Sequence, residues 1–236
     1  NCRIRNISAV SGHLAVCEHM NLCSNLINLI DPDIGRMKNL KELLLDHNDI
    51  PSLPLTLDML KNLVTISLND NDLQAIPDSI GDCSSLESFS ARNNAIKEIP
   101  PSFGNIFSLT KLDLHKNAIQ VVPKELGNCT RMLHLDLEEN LISKIPATLE
   151  QFGAIQSLLL GHNQLATLPR SLANCTELRT LSVSYNKITL LPVEFGRLPH
   201  IEEFLLNDNS SCHNPPVEVI LKGTANIMKF FRAFLE

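Results

Sequence analysis

The stretch LTKLDLHKNAIQVVPKELGN at residues 109–128 carries a pattern that returns along the chain every 23 residues. Its asparagine, Asn117, is one of nine asparagines in this register. The others are Asn25, Asn48, Asn71, Asn94, Asn140, Asn163, Asn186 and Asn209, and Cys2 holds the same phase one period before the first. A unit this short cannot bury its own apolar residues. Neighbouring units must therefore stack into a solenoid with one continuous core.

The first half of each unit predicts a β-strand. Leu112 and Leu114 alternate with Asp113 and His115, which is the period of a strand with one buried and one exposed face. With one strand in each repeat, we expect nine parallel strands in a single sheet. The Asn after each strand is expected to hydrogen-bond backbone groups of its own turn and of the adjacent turn.

The second half of each unit predicts an irregular outer layer. Proline donates no N–H and suits a layer of turns and short helical pieces, where no strand needs that donor. This column comprises Pro54, Pro77, Pro100, Pro123, Pro146, Pro169, Pro192 and Pro215. Glycines recur shortly after it, and we expect them to close tight bends. They are Gly35, Gly81, Gly104, Gly127 and Gly196.

The pattern divides the chain into three parts. Residues 1–16 are predicted to be a partial repeat or an N-terminal cap, residues 17–209 to be repeats, and residues 210–236 to be a helical C-terminal cap. The N-terminus has neither an initiator Met nor the apolar stretch of a signal peptide, so we interpret the chain as part of a longer polypeptide.

The predicted C-terminal cap contains two helices. Pro216 is expected to begin a short helix that stops at Gly223, and Thr224 is expected to be the N-cap of a second helix. The second helix has an apolar face that is expected to cover the last repeat. This face consists of Ile227, Phe231, Phe234 and Leu235.

The unit LxxLxLxxNxLxxLPxxLGxLxx is identified as a leucine-rich repeat. It most resembles the 23-residue repeats of intracellular plant and animal proteins grouped with the Ras-binding scaffolds, which also carry Leu-Pro after the Asn. The string NPPVEVILKGTANIMKF at residues 214–230 is similar to the terminal cap of these proteins and of Roco GTPases. The resemblance implies an α/β solenoid, or horseshoe, with one parallel sheet on its concave face and a short helical or irregular convex side.

The same resemblance implies a scaffold that binds a protein partner on the concave face, with a small GTPase or a phosphatase complex as the partner class. An alternative is the targeting region of a larger multidomain enzyme, a Roco-type GTPase, a kinase or a phosphatase, whose catalytic domain lies outside this chain. The strings GxxxxGK[ST], GxGxxG, HExxH and GxSxG do not occur, so the sequence favours a binding module over an enzyme and predicts no cofactor.

Composition narrows the partner class and the compartment. The net charge is -6, without a basic stripe, which argues against nucleic acid as a partner, and no apolar run is long enough to span a membrane. The seven cysteines form no CxxC pair, and Cys83, Cys129 and Cys175 recur at an apolar repeat position. Buried reduced thiols favour a cytoplasmic protein. A secreted receptor ectodomain is the alternative, and it would carry glycans at Asn128 or Asn174.

The outward strand positions are strongly acidic. They hold twelve acidic and five basic residues, a balance of -7 against -6 for the whole chain. The acidic residues are Glu18, Glu42, Asp46, Asp70, Glu87, Asp113, Asp136, Glu138, Glu139, Glu202, Glu203 and Asp208, and the basic ones are Lys41, Arg92, Lys111, Lys116 and Arg179. This asymmetry favours a partner with a basic surface. A simple solvated face is the alternative.

Aromatic residues and arginine are the usual anchors of protein interfaces. Tyr185, the only tyrosine, and Arg92 are therefore the predicted hot spot on the concave face. The remaining predicted partner-binding residues are His115, Lys116, Glu138, Glu139 and His162.

One group of outward residues has the side chains of a metal or acid–base site. His134, Asp136 and Glu138 alternate on one strand, beside Asp113 and His115 on the neighbouring strand. Two flanking lysines, Lys111 and Lys116, and an open sheet without a cleft argue against catalysis or metal binding at this position. The sequence therefore predicts neither there.

Overall fold

The computed structural model describes residues 6–7 and 16–235. Nine strands form one parallel sheet in chain order, as predicted. They are β2 (His19–Asn21), β4 (Glu42–Leu44), β5 (Thr65–Ser67), β6 (Ser88–Ser90), β7 (Lys111–Asp113), β8 (His134–Asp136), β9 (Ser157–Leu159), β10 (Thr180–Ser182) and β11 (Glu203–Leu205). A separate two-stranded sheet pairs β1 (Asn6–Ile7) with β3 (Leu29–Ile30). The predicted partial repeat or cap at residues 1–16 falls largely outside the described residues.

The register of the sheet follows the 23-residue period. Leu112 of β7 pairs with Phe89 on one side and with Leu135 on the other, each one period away. The predicted alternation is confirmed, because Leu112 and Leu114 are fully buried. Burial of one such leucine in every repeat contributes on the order of 2 kcal/mol. Stacked repeats thus share one core that runs the length of the solenoid.

Each repeated turn is held by its asparagine side chain. Asn140 is 5% exposed, and its Nδ2 donates to the carbonyl oxygens of Leu137 and Glu138 at 3.1 Å in its own turn. The same Nδ2 donates to the Leu114 carbonyl of the preceding repeat at 3.0 Å, and Oδ1 accepts from the Ile119 N–H at 2.9 Å. The predicted asparagine ladder is confirmed, and it joins neighbouring repeats as well as closing each turn.

In the described part of the chain, the convex layer contains eight five-residue 3₁₀ helices. They are η1 (Pro32–Arg36), η2 (Leu55–Met59), η3 (Asp78–Asp82), η4 (Pro101–Asn105), η5 (Lys124–Asn128), η6 (Ala147–Gln151), η7 (Arg170–Asn174) and η8 (Val193–Arg197). A proline of the predicted column precedes each of η2 to η8. Before η1 that position is Asp31, whose side chain accepts a hydrogen bond from the Asp33 N–H at 2.9 Å.

The convex glycines do not serve the purpose predicted for them. None of them has a positive φ, so bend closure is not the reason for glycine. Instead, neighbouring 3₁₀ helices approach so closely that a Cβ on Gly81 would lie 2.5 Å from the Ser102 carbonyl oxygen. A Cβ on Gly35 would lie 2.7 Å from the Thr56 carbonyl oxygen. The sequence prediction was wrong because the constraint comes from the next repeat and not from the local backbone.

The C-terminal end is covered by α1 (Val217–Ile220) and α2 (Thr224–Arg232). Thr224 is not the N-cap of α2: that position is Gly223, with φ 82°, and the Thr224 hydroxyl accepts the Phe204 N–H at 2.9 Å. This bond ties α2 to strand β11. Ile227 and Phe231 are buried as predicted, whereas Phe234 and Leu235 lie beyond the end of α2 and are 61% and 36% exposed.

The cysteines of the described residues are all free thiols. Cys83, Cys129 and Cys175 are buried, as predicted, and each Sγ lies within hydrogen-bonding distance of a carbonyl oxygen in the preceding repeat. Burial raises the pKa of Cys83 and Cys175 to about 11 and that of Cys129 to about 12. These side chains therefore remain protonated near neutral pH and pack as small apolar groups.

The asparagine ladder predicts a large effect for Asn140→Ala. The substitution leaves the Ile119 N–H and several carbonyl groups without their partner in a buried turn. We expect the free energy of unfolding to fall by about 2 to 4 kcal/mol, measured by urea denaturation. Asn105→Ala, at the exposed end of η4, is the control and should change stability by less than about 0.5 kcal/mol. Equal effects of the two variants would contradict the ladder.

The close approach of the convex helices predicts opposite effects at two glycines. Gly81→Ala forces a Cβ against the Ser102 carbonyl and should cost about 1 to 3 kcal/mol. Gly153→Ala meets nothing within 4 Å and should be neutral or stabilising by up to about 1 kcal/mol. Thermal unfolding monitored by circular dichroism compares the two. If Gly81→Ala proved as stable as Gly153→Ala, close packing would not explain the glycine column.

Candidate interaction face

The residue before each ladder asparagine adopts a left-handed backbone conformation. These nine residues have φ between 51° and 57° and are Ser24, His47, Asp70, Asn93, Lys116, Glu139, His162, Tyr185 and Asp208. We call them the left-handed column. Four predicted binding residues belong to it. They were predicted at outward positions of the strands, but they lie in the turns that follow the strands. Each turn is bonded to the next repeat; for example, the Lys116 N–H donates to the Glu138 carbonyl at 2.8 Å.

An aromatic pair lies near the C-terminal end of this column. The rings of His162 and Tyr185 are stacked, with centroids 4.1 Å apart and an interplanar angle of 12°. Tyr185 is half exposed, and a hydrogen bond to the Asp208 carboxylate, together with its charge, raises the pKa of the phenol. The Tyr185 ring is thus fixed between two neighbours and still open to a partner.

In the N-terminal part of the left-handed column, polar side chains form a network. The Nδ1 atom of His47 lies 3.4 Å from an Asp70 carboxylate oxygen, and the other oxygen of Asp70 accepts from the Asn93 side chain. Arg92, beside this network, is exposed and donates its backbone N–H to the Asn69 side chain at 2.9 Å. Arg92 follows β6 and Tyr185 follows β10, a separation of about 19 Å at the usual strand spacing. The structure therefore does not bring the two predicted anchors together.

Between the anchors lies a central cluster formed by His115, Asp136, Glu138 and Glu139. His115 Nδ1 is 3.9 Å from Asp136 Oδ1, and His115 Nε2 is 3.6 Å from Glu139 Oε1. Burial, with the nearby charges of Asp113 and Glu138, raises the pKa of Asp136 to about 6. The alternation of the strands predicted most of these residues in one neighbourhood, but it did not single out His115 as the residue that joins them.

Glu138 reaches across a whole repeat. Its Oε1 accepts a hydrogen bond from the Ser182 hydroxyl of β10, two strands away from β8. Gly161 lies between them, and a Cβ at that position would be 2.6 Å from Glu138 Oε1. No sequence pattern within one repeat predicts this contact, because the contact requires a residue without a side chain, Gly161, in the intervening repeat.

Among the described residues, the ion pairs of this face that use a lysine or an arginine lie near its two ends. Lys41 pairs with Glu18 at 2.7 Å, and Arg179 pairs with Glu202 at 2.6 Å. Among the ion pairs of the described residues, the central cluster has only His115, which is charged only when it is protonated. Beside the cluster is a depression of about 500 Å³ lined by Lys111, Leu112, Asp113, His134, Leu135, Asp136, Ser157 and Leu159. The sheet is therefore less open at this point than the sequence suggested.

Two family models match the sequence. Residues 107–165 and residues 177–198 each match a model described as leucine rich repeat. No curated protein matches the chain. The repeats, the fold and these matches define the chain as a leucine-rich-repeat protein.

Several solved structures have the same fold. A plant peptide hormone receptor, RGFR1 in complex with RGF2, is 29% identical with a TM-score of 0.75 and covers 80% of this chain and 32% of its own. The ectodomain of GASSHO1/SCHENGEN3 from Arabidopsis thaliana, in complex with Casparian strip integrity factor 2, is 29% identical with a TM-score of 0.68, covering 76% and 25%. PEPR1–AtPEP1 is 28% identical with a TM-score of 0.67, covering 79% and 31%. The chain spans between a quarter and a third of the length of these structures.

Leucine-rich-repeat domains generally mediate protein–protein interaction, and the fold is typical of non-catalytic modules. Among residues 16–235, no helix combines the length and the apolar character needed to cross a bilayer.

The contact between Tyr185 and Asp208 can be tested by titration. Asp208→Asn removes the carboxylate charge that disfavours the phenolate, so the pKa of Tyr185 should fall toward its usual value of about 10. The chain has one Tyr and no Trp, so ultraviolet absorbance reports this residue alone. Asp49→Asn, at an exposed position in another turn, should leave the titration unchanged. An unaltered curve in Asp208→Asn would show that the two side chains do not interact.

Proposed function

We propose that this protein is an interaction module that binds a polypeptide partner along its concave face, between Arg92 and Tyr185. The observation that carries the proposal is a row of exposed polar and aromatic side chains fixed in one backbone conformation by the repeat stacking. A rigid row of this kind presents its side chains without further ordering, which lowers the entropic cost of binding.

The known structures support a polypeptide ligand. RGFR1 is described in complex with RGF2, and GASSHO1/SCHENGEN3 in complex with Casparian strip integrity factor 2. A shared fold does not identify a shared partner. The depression of about 500 Å³ beside the central cluster favours the concave face as the surface that this chain uses.

The chemistry of the face favours a partner with a basic surface. Asp136, Glu138 and Glu139 lie together, whereas Glu18 and Glu202, near the ends of the sheet, are paired with Lys41 and Arg179. A lysine or arginine side chain would offset the charge at the central cluster, and the acidic field would raise the rate of encounter. His115, Lys116, Glu138, Glu139 and His162 then form the contact zone between the two anchors.

The resemblance to Ras-group scaffolds supports a small GTPase or a phosphatase complex as the partner class, in cytoplasmic signal transduction. The 23-residue unit and the cap string at residues 214–230 carry that resemblance. Free thiols in the described residues are consistent with a reducing compartment. In this proposal, residues 17–209 are the binding repeats and residues 210–236 protect their C-terminal end.

One alternative function is supported by the cap. Its similarity to Roco GTPases makes the chain a candidate targeting region of a larger enzyme whose catalytic domain lies outside these residues. The concave face would then recruit a substrate or a regulator, so both functions use the same surface.

A second alternative concerns the compartment. Asn128 and Asn174 both precede Cys-Thr, and both are exposed at the ends of convex 3₁₀ helices, where a glycan would fit. An extracellular protein would be glycosylated at these positions, far from the concave face.

A double substitution tests the concave face. Tyr185→Ala with Arg92→Ala removes both anchors, and we expect partner affinity to fall by at least about 30-fold, since a single interface hot spot contributes about 2 kcal/mol or more. Affinity capture from a cell extract with the intact chain identifies the partner. Titration of that purified partner against both proteins then measures the loss.

The matched control is Phe107→Ala with Arg131→Ala, an exposed aromatic and an exposed arginine on the convex side. This variant should bind the partner as tightly as the intact chain. Loss of binding in the convex variant, with retention in the concave variant, would place the interface on the opposite side and overturn the proposal.

A further inference from the structure

We propose that the chain binds one divalent transition-metal ion of the zinc class through His115, Asp136 and Glu138. This inference goes beyond the proposed function and does not rest on it. The three residues lie at the ends of two neighbouring strands, β7 and β8, on the concave face.

The ligand atoms of these residues converge. One atom from each of the three lies within 4.8 Å of the others, and His115 Nδ1 is 3.9 Å from Asp136 Oδ1. Ligands about 2.1 Å from a tetrahedral zinc ion are about 3.4 Å apart. Metal binding at this site would therefore draw the three partly exposed side chains together.

The histidine of the site has a further carboxylate beside its ring. Glu139 Oε1 lies 3.6 Å from Nε2, the ring nitrogen that faces away from Asp136. A carboxylate at this position favours the proton on Nε2 and leaves the lone pair of Nδ1 directed into the cluster. Carboxylate–histidine–metal arrangements of this kind are usual around protein zinc ions.

The two carboxylates are also held from behind. Asp136 Oδ1 accepts the backbone N–H of Glu138 at 3.0 Å, and Glu138 Oε1 accepts the Ser182 hydroxyl at 2.5 Å. Each hydrogen-bonded carboxylate oxygen keeps a second lone pair, and each carboxylate keeps a second oxygen, for a metal ion. Glycine at position 161 is required for this arrangement, because a Cβ there would lie 2.6 Å from Glu138 Oε1.

The charge of the site calls for a cation. A divalent ion neutralises the charges of Asp136 and Glu138, which otherwise repel each other and the nearby Asp113. One imidazole with two carboxylates suits zinc, cobalt or nickel, whereas calcium and magnesium prefer ligand sets made of oxygen. Three protein ligands leave a fourth position open toward the concave groove for water or for a ligand from a partner.

Isothermal titration of the chain with zinc chloride tests this site without any partner protein. We expect one ion per chain with a micromolar dissociation constant. His115→Ala and Glu138→Gln remove ligands and should abolish that binding, while Ser182→Ala removes only the support of Glu138 and should weaken it about 10- to 100-fold. Cobalt titration followed by visible absorbance gives a second readout of the same ligands.

His47→Ala is the matched control, because His47 lies on the same face beside a single carboxylate, Asp70. It should bind zinc as the intact chain does. A second sample, with its accessible thiols alkylated, should also bind normally, because the proposed ligands include no cysteine.

Three results would overturn the site: no zinc binding tighter than millimolar, unchanged binding in His115→Ala, or loss of binding after alkylation. Circular dichroism of each variant without metal shows whether the fold is intact. Since the titration contains no partner, its outcome is independent of whether the concave face binds a protein.

Discussion

The structure depends on one side chain repeated in every turn, the ladder asparagine. Asn140 bonds its own turn and the repeat before it at the same time, so the turn cannot close without fixing the position of its neighbour. The parallel register, the spacing of the convex 3₁₀ helices and the conformation of the left-handed column all follow from this double role. The leucine core supplies most of the stabilising free energy, whereas the asparagines determine the geometry in which that energy is gained.

Most of the fold could be predicted from the sequence because the decisive contacts repeat with the 23-residue period. The nine-stranded sheet, the buried Leu112 and Leu114, the proline column and the buried cysteines are of this kind. The errors arose where a contact joins different repeats or ends the pattern. Gly81 is required by a carbonyl of the next repeat, and Thr224 bonds strand β11 instead of capping its own helix. Neither constraint leaves a trace in the local sequence.

The candidate site was less predictable for a related reason. Alternation correctly placed Asp136 and Glu138 outward, but it could not show that His115, and not His134, completes the group of converging ligand atoms. The contact between Glu138 and Ser182 spans 44 residues and passes over Gly161, so it becomes visible only when three repeats are stacked. The binding role of Arg92, Lys116, His162 and Tyr185 stays a prediction, while their positions at the ends of the strands are now defined.

The left-handed column has a consequence for how such a protein can evolve. Each of its nine residues has a positive φ that glycine would adopt without cost, whereas other side chains cost about 1 to 2 kcal/mol. Glycine would therefore give a more stable backbone at these positions, which include Lys116, Glu139, His162 and Tyr185. The hydrogen bonds of the asparagine ladder offset this cost. Because the backbone at these positions is set by neighbouring repeats, one side chain can replace another without moving the sheet. Substitutions at these positions can therefore change the chemistry of the surface one repeat at a time, while the fold of the solenoid stays the same.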